Sequence, residues 1–428
     1  MSTRRAPPAT DGALLFYDTA RSCRAPNQKE RRHMDEFDHR SLGSRLDLWH
    51  IQEDAPGMVF WHPRGYALYR VLEDYIRRKM RALGYAEVKT PQLLPRALWE
   101  QSGHWDKFGD SMFSLSDSER PMALKPMSCP CHVQIFNKGL RSWRELPVRY
   151  AEFGACHRDE PSGALHGLMR TRNFEQDDAH VFCREEHVQE EVARFIGLLS
   201  AVYAELGFPD YEVALSTRPA KRAGSDALWD WAEAKLGDAA RQCGVSFAIL
   251  PGEGAFYGPK LEFALSDRHG RSWQCGTIQL DCVLPQRLSA SYVAPDGSRA
   301  VPLMIHHAVF GSLGRLIAIL LEQHGAALPF WLAPDQVAVA PIAQGQAAYA
   351  AKVQTDLDKA GLRAALYDSA ETLSRRIVAA HEAGIPAMAI LGPREAERGT
   401  VTVRDRDGTQ STLPLPDAVA LLAGRARV

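Results

Sequence analysis

Three observations predict two units in tandem: an α+β unit built on antiparallel strands, followed by a smaller α/β unit. The chain has 428 residues, more than one core usually fills. Apolar and polar residues alternate through Val148 to Phe153, break at Pro161, Ser162 and Gly163, and alternate again from Asn173. That pattern predicts two antiparallel strands joined by a long loop. Beyond Pro334 short apolar strands alternate with amphipathic helices over about one hundred residues, a common domain size. The expected division is 1–33, 34–333 and 334–428.

In chain order, Met1 to His33 carries Arg4, Arg5, Arg21, Arg24, Arg31 and Arg32 among Pro, Ala, Ser and Thr, with little apolar periodicity. A disordered extension is expected, or a start codon upstream of the true one at Met34. Asp11, Asp18 and Glu30 weigh against an organellar presequence, which is acid-poor. From Pro63 to Gly84 the spacing of Leu68, Val71, Leu72, Tyr75, Ile76, Met80 and Leu83 predicts a helix ended by Gly84. Tyr85 to Leu94 is expected as a strand with Pro91 inside it. The second unit should contain strands at Val337–Ile342, Arg363–Tyr367, Ala387–Leu391 and Val401–Arg404, and helices at Ala347–Ala360 and Leu373–Ala383.

An apolar share of 45% and a charged share of 24% describe an ordinary globular chain. No apolar run is long enough to span a bilayer, so a cytoplasmic location is expected. The eight cysteines (Cys23, Cys129, Cys131, Cys156, Cys183, Cys243, Cys275 and Cys282) are scattered, which excludes a dense secreted disulfide framework. Net charge is −1, so nothing global argues for nucleic-acid binding, although a local basic patch could hide inside a neutral total.

The loop after the first predicted strand carries Arg158, Glu160, His166 and Arg170. Guanidinium forks bind phosphate oxygens and a carboxylate accepts from a base amine, so such a loop suits a nucleotide. Taken alone, Arg158 and Glu160 read as a surface pair rather than a nucleotide site.

Six strings, in order, carry a more specific message: MSCPCH, FGACHRDEPSGALHGLMR, FEQDDAH, GEGAFYGPK (Gly252 to Lys260), WQCGTIQLD (Trp273 to Asp281) and MIHHAVFGSLGRLI (Met304 to Ile317). Their order and spacing resemble the threonyl-tRNA synthetases, from about Asp38 to about Ile342. The resemblance implies a class II synthetase catalytic domain with an antiparallel sheet, then an anticodon-binding-like α/β domain. It further implies a homodimer formed through the Pro63 helix and the strand after it, although an ordinary amphipathic helix explains the same periodicity. Such enzymes commonly carry a small N-terminal domain and an editing domain ahead of the core. This sequence has no room for either, so a ligase without editing is expected.

By the same resemblance, Arg158 meets the α-phosphate of ATP and Arg315 the far phosphates. Glu160 takes the adenine amine and Phe174 stacks on the ring, with Arg170, Gln279 and Ser312 as further ATP contacts. Mg²⁺ accompanies the triphosphate. Cys129, His180 and His306 match three zinc ligands, although their separations are not a local zinc signature. Asp178 and Gln176 precede His180 by two and four residues and would share its face on a strand. Asp178 matches the acceptor for the threonine hydroxyl, and Met127, Tyr257, Gln274 and Gln176 other threonine contacts. His104 and Lys260 match residues near the acceptor ribose, where a histidine of near-neutral pKa could take a proton.

The sequence departs from that pattern at Ser128, Cys131, His307 and Gly314, where Asn, Gly, Arg and Glu are usual. Cys131 could compete for zinc or fill space. In the second unit, DSAETLSRRIV (Asp368 to Val378) has Ala370, Thr372, Ser374, Arg375 and Val378 at the places of the family's anticodon-reading residues. From Trp331 to Val428 eleven basic residues face eleven acidic ones. Three functions compete: ligation of threonine to tRNA(Thr), loading of threonine onto another acceptor such as a carrier protein, and a non-catalytic relative. Arg158, Arg315 and the metal set argue against the last. His104, Lys260 and the second unit favour tRNA, with weak dependence on the anticodon.

Overall fold

The computed structural model describes residues 37–115, 119–268, 270–368 and 370–427. The expectations for Met1 to His33 and for Met34 lie outside them. The first unit is organised on an eight-stranded sheet. Its strands, edge to edge, are Ala248–Leu250, Glu212–Ser216, Lys260–Ser266, Ser272–Asp281, Leu303–Ala308, Asn173–Cys183, Val148–His157 and Ala86–Glu87. The six inner strands pair antiparallel, and only the two outermost join in parallel. The expected hairpin is present as Val148–His157 against Asn173–Cys183, with Arg158 to Arg172 between them.

Helices seal one face of this sheet. Val188–Glu205 turns Val192, Phe195, Leu199 and Val202 toward it, and Leu313–His324 buries every residue from Leu316 to Glu322. The helix Pro63–Ala82 starts on a proline, which has no N–H to leave orphaned in the first turn. It buries Leu68, Leu72, Tyr75, Ile76 and Met80. The chain leaves it through Gly84 at φ +81, a conformation glycine adopts without steric cost.

The expected strand over Tyr85 to Leu94 is not continuous. Only Ala86–Glu87 joins the main sheet, and Leu93–Pro95 pairs instead with Met122–Leu124 in a small separate sheet. Pro91 has no amide hydrogen for a ladder, and the neighbouring Thr90 N–H donates to the Glu152 carboxylate at 2.8 Å rather than to a strand.

The second unit is a five-stranded sheet in the order Ala364–Leu366, Val337–Pro341, Ala387–Leu391, Thr400–Asp405 and Gln410–Pro414. The first three strands are parallel and the last two antiparallel. Helices Ala347–Lys359 and Leu415–Arg425 pack Val353, Leu357, Ala418 and Leu422 onto Val337, Ala389 and Val401, a core separate from the first. The strand Gln410–Pro414 and the helices Pro393–Arg398 and Leu415–Arg425 were not expected from sequence. Gln410–Pro414 is a largely exposed edge strand, so its residues lack an apolar signature.

Candidate active site

Register across the large sheet assembles the site. Ser216 pairs with Lys260, Lys260 with Gln279, Gln279 with His306, His306 with His180, and His180 with Tyr150. Directly paired residues point to one face, so this row crosses six strands on the same side of the sheet. Phe174, Gln176 and Asp178 share that face by alternation along the Asn173 strand, as expected from their spacing. His307, one residue on, must point to the other face. There it packs against Phe195, and its Nε2 lies 2.7 Å from the Tyr85 hydroxyl. Its place is in the core under the sheet, away from the site.

The helix Cys129–Phe136 lies over the row and delivers Cys129 from its first turn. Cys129 Sγ is 3.2 Å from His306 Nδ1, and that nitrogen is 3.1 Å from His180 Nε2. One ligand atom from each residue falls within 4.8 Å of the others, and all three residues are buried. The proton inventory decides whether these residues fit a metal. His306 Nε2 is 2.8 Å from Asp281 Oδ2, and a carboxylate only accepts, so Nε2 carries the hydrogen and Nδ1 faces inward bare. Asp281 is held in turn by the backbone N–H groups of Val283 and Leu284 at 2.7 and 3.0 Å. A thiol with two inward imidazole nitrogens, one keyed by a carboxylate behind it, suits zinc.

Cys131, two residues along the same helix, leaves the convergence and packs with Trp99, Met112 and Ala123. Burial pushes its thiol up to about 11. Of the two expectations for it, filling space holds and competition for metal does not. Ser128 presses its hydroxyl against Gly154, where any Cβ would collide with it. Nothing in the structure requires glycine at 314, since a Cβ there would meet Ser312 Oγ at 3.7 Å, an ordinary contact.

Around the metal-ligand cluster, Tyr257 stacks on His306 with centroids 4.9 Å apart and donates its hydroxyl to Gln279 Oε1 at 2.6 Å. Burial raises the Asp178 carboxyl, whose Oδ1 lies 3.7 Å from His180 Nε2. Gln176 bridges to Ser312, the N-cap of the Leu313 helix. Met127 is half-buried just before Ser128, and Gln274 lies on the Ser272 strand.

Arg158 emerges from the end of the Val148 strand with its guanidinium over Phe174 at 5.1 Å and over Phe108 at 5.3 Å. Glu160 pairs with Arg170 at 2.7 Å, so the surface pair considered for Arg158 and Glu160 is not the one formed. Arg315 is half-buried, donating to the carbonyls of Met169 at 3.1 Å and Gln274 at 2.9 Å. Burial lowers its pKa, and the charges of Arg158, Arg170 and Glu160 all reach it. Three guanidiniums therefore converge on one region of the face, as an anionic polyphosphate needs.

His104 is buried among Trp99, Phe108 and Phe256. Its Nδ1 is 2.8 Å from Ser102 Oγ, which donates to Trp99 O, so Nδ1 carries the hydrogen and Nε2 is bare, with no partner among the described residues. Burial first, then the charges of His306, Arg158 and Arg287, hold it down at about 3. The expected near-neutral histidine is thus corrected: apolar packing makes it a weak base with a free acceptor nitrogen. Lys260 is buried and ion-paired with Glu262, which also accepts from Ser216 Oγ at 3.1 Å.

Sequence reasoning missed Asp281, His132, Glu152 and Lys125, which stand behind the ligands. Cys129 and His132 at helical spacing i, i+3, and an acid inside a strand whose neighbours are buried, were the available signals.

Comparison with known proteins agrees with this architecture. Residues 112–324 match the tRNA synthetase class II core domain (G, H, P, S and T), and residues 336–425 match an anticodon binding domain. The chain is 54% identical over 416 residues to a threonine–tRNA ligase of Caulobacter vibrioides, covering 96% of this chain and 64% of that protein. It is 53% identical over 392 residues to that of Gluconacetobacter diazotrophicus, covering 91% of this chain and 61% of the other. It therefore spans a little under two thirds of the curated relatives it matches. The structure superposes on the RNA binding domain of threonyl-tRNA synthetase from Cryptosporidium parvum Iowa II with a TM-score of 0.88 and 39% identity, covering 91% of this chain and 98% of that one. A putative threonyl-tRNA synthetase from Aeropyrum pernix follows at a TM-score of 0.75 and 27% identity, covering 91% and 96%. With its class II sheet, its anticodon-binding domain and these relatives, the chain belongs to the threonyl-tRNA synthetase family.

Proposed function

We propose that this protein activates L-threonine with ATP to threonyl-adenylate and transfers threonine to tRNA(Thr). The observation that carries the reading is the convergence of Cys129, His180 and His306 beside Asp178, on the sheet face from which Arg158 emerges, with the charge of Arg158 reaching Arg315. Cys129, His180 and His306 would hold zinc, which would supply a Lewis acid for the amino and hydroxyl groups of threonine. Asp178 accepts from that hydroxyl, and Tyr257, Gln176, Gln274 and Met127 close the pocket. Arg158 neutralises charge building on the α-phosphate while the threonine carboxylate attacks it in line, and Arg315 and Arg170 hold the leaving pyrophosphate. Phe174 stacks on adenine, Glu160 accepts from its amine, and Gln279 and Ser312 make the remaining contacts. Mg²⁺ enters with ATP as part of the substrate. The bare Nε2 of His104 accepts a hydrogen bond from the attacking ribose hydroxyl and orients it, with Lys260 as a further contact to the acceptor end. A catalytic unit of 34–333 with a tRNA-facing unit of 334–428, a homodimer and a cytoplasmic location complete the reading.

Threonine-dependent exchange of pyrophosphate into ATP by zinc-loaded protein tests it, and a folded, metal-loaded sample without exchange would overturn it. Serine keeps the hydroxyl and loses only a methyl, a difference of about 1–3 kcal/mol. Serine-dependent exchange should therefore lie within about 10–200-fold of that with threonine in kcat/KM. A gap of several thousand-fold would mean that the pocket reads the methyl by another device.

The acceptor prediction rests on the second unit. Arg376 is buried and spends its guanidinium on the carbonyls of Pro341, Tyr367 and Ile342 at 2.6, 3.1 and 3.4 Å. Arg375 is exposed but paired with Glu371 at 3.2 Å, and Val378 is an exposed apolar residue. Changing the threonine anticodon should cost less than the roughly 1–3 kcal/mol that one bidentate base contact supplies. Charging of transcripts with altered anticodons measures it, and a larger loss would show that another face reads the bases.

A further inference from the structure

The two histidines of the metal-ligand cluster are keyed differently. His306 has its own carboxylate, Asp281. His180 has none, because its outer nitrogen meets another imidazole: His180 Nδ1 lies 2.8 Å from His132 Nδ1. Two imidazole nitrogens at that separation share one hydrogen, so the direction of the bond has to be set from outside. On the far side His132 Nε2 lies 3.2 Å from Glu152 Oε2, and both side chains are fully buried.

Glu152 is held as a carboxylate. Its Oε1 accepts from Thr90 N at 2.8 Å and its Oε2 from Thr90 Oγ1 at 2.8 Å, and Lys125 Nζ donates to both at 3.2 and 3.3 Å. Burial would raise its pKa, but these bonds, that from His132 and the Lys125 charge bring it down to about 2. A carboxylate can only accept, so His132 carries its hydrogen on Nε2 and presents a bare Nδ1 to His180. His180 must then donate from Nδ1, which leaves Nε2 bare and aimed at His306 Nδ1 and the Cys129 side.

We propose that Glu152 and His132 are positioning residues that fix which nitrogen of His180 is bare, and so tune the affinity of the metal site. The inference rests on the zinc reading above. Its sharpest consequence concerns an isosteric change. In Glu152→Gln, the Thr90 backbone N–H, which can only donate, still claims the oxygen at the Oε1 position, so the amide NH₂ turns to His132 Nε2. The hydrogen directions along the relay reverse, and His180 presents an N–H to the cluster without any loss of packing.

The test is zinc affinity by competition with a chromophoric chelator, with thermal unfolding recorded for each variant. E152Q should bind zinc about 10–100-fold more weakly than wild type, the usual effect of an outer-shell change. His132→Leu should weaken it similarly. His132→Gln, whose amide can donate to Glu152 and accept from His180 at once, should recover most of the loss. Wild-type protein that takes up no zinc would overturn the metal site and the relay with it. Stoichiometric zinc in the wild type with unchanged affinity in E152Q would overturn the relay alone. Should E152Q fail to fold, the H132L and H132Q pair decides: equal affinities in the two would refute the relay.

Discussion

Valine-dependent exchange should fall about 10⁴–10⁵-fold below threonine-dependent exchange in the zinc-loaded protein, and Asp178→Ala should close most of that gap. Valine matches threonine in shape, so an apolar pocket would separate the two poorly. A site built to hydrogen-bond a hydroxyl rejects an analogue that lacks one because its own buried polar groups are left unpaired. Asp178 is such a group, buried on the His180 face with its carboxyl raised by burial. The ratio of kcat/KM for the two amino acids, in wild type and D178A, measures the effect. Discrimination that survives D178A would move the reading of the hydroxyl elsewhere.

Arg158→Ala should lower threonine-dependent exchange by about 10²–10³-fold, mostly in kcat, because the guanidinium acts on charge that develops at the α-phosphate. The change is informative because Arg158 contributes little else: one long bond to Pro126 O at 3.3 Å and stacking on Phe174 and Phe108. Arg158→Lys should recover only part of the loss, since an ammonium lacks the fork that meets two phosphate oxygens. Arg315 is a poorer probe, because its bonds to the Met169 and Gln274 carbonyls mix stability with activity. Exchange by R158A within tenfold of wild type would exclude the assigned role.

The hairpin from Val148 to Cys183, the Pro63 helix and the alternating strands and helices after Pro334 were legible because each is local. Apolar periodicity marks them, and Gly84 and the proline and glycine of the long loop punctuate them. Asp178 and Gln176 could be placed on the face of His180 by counting in twos. Tyr85 to Leu94 misled because its composition suits a strand, whereas Thr90 is claimed by Glu152 from 62 residues away and Pro91 cannot pair.

By itself the sequence determined much of the succession of elements, the strings that resemble synthetase motifs, and which side chains have chemistry suited to a metal or a phosphate. Tertiary structure decided what those side chains can do. Sheet register, which a strand's own residues do not encode, put His180 beside His306 and sent His307 to the opposite face. Helix packing turned Cys129 toward the cluster and Cys131 toward Trp99. Burial made His104 a weak base, and the hydrogen directions that leave His180 and His306 bare toward each other come from Glu152 and Asp281. Such properties are set by groups distant in sequence, because burial and hydrogen-bond direction exist only once the elements have been packed together.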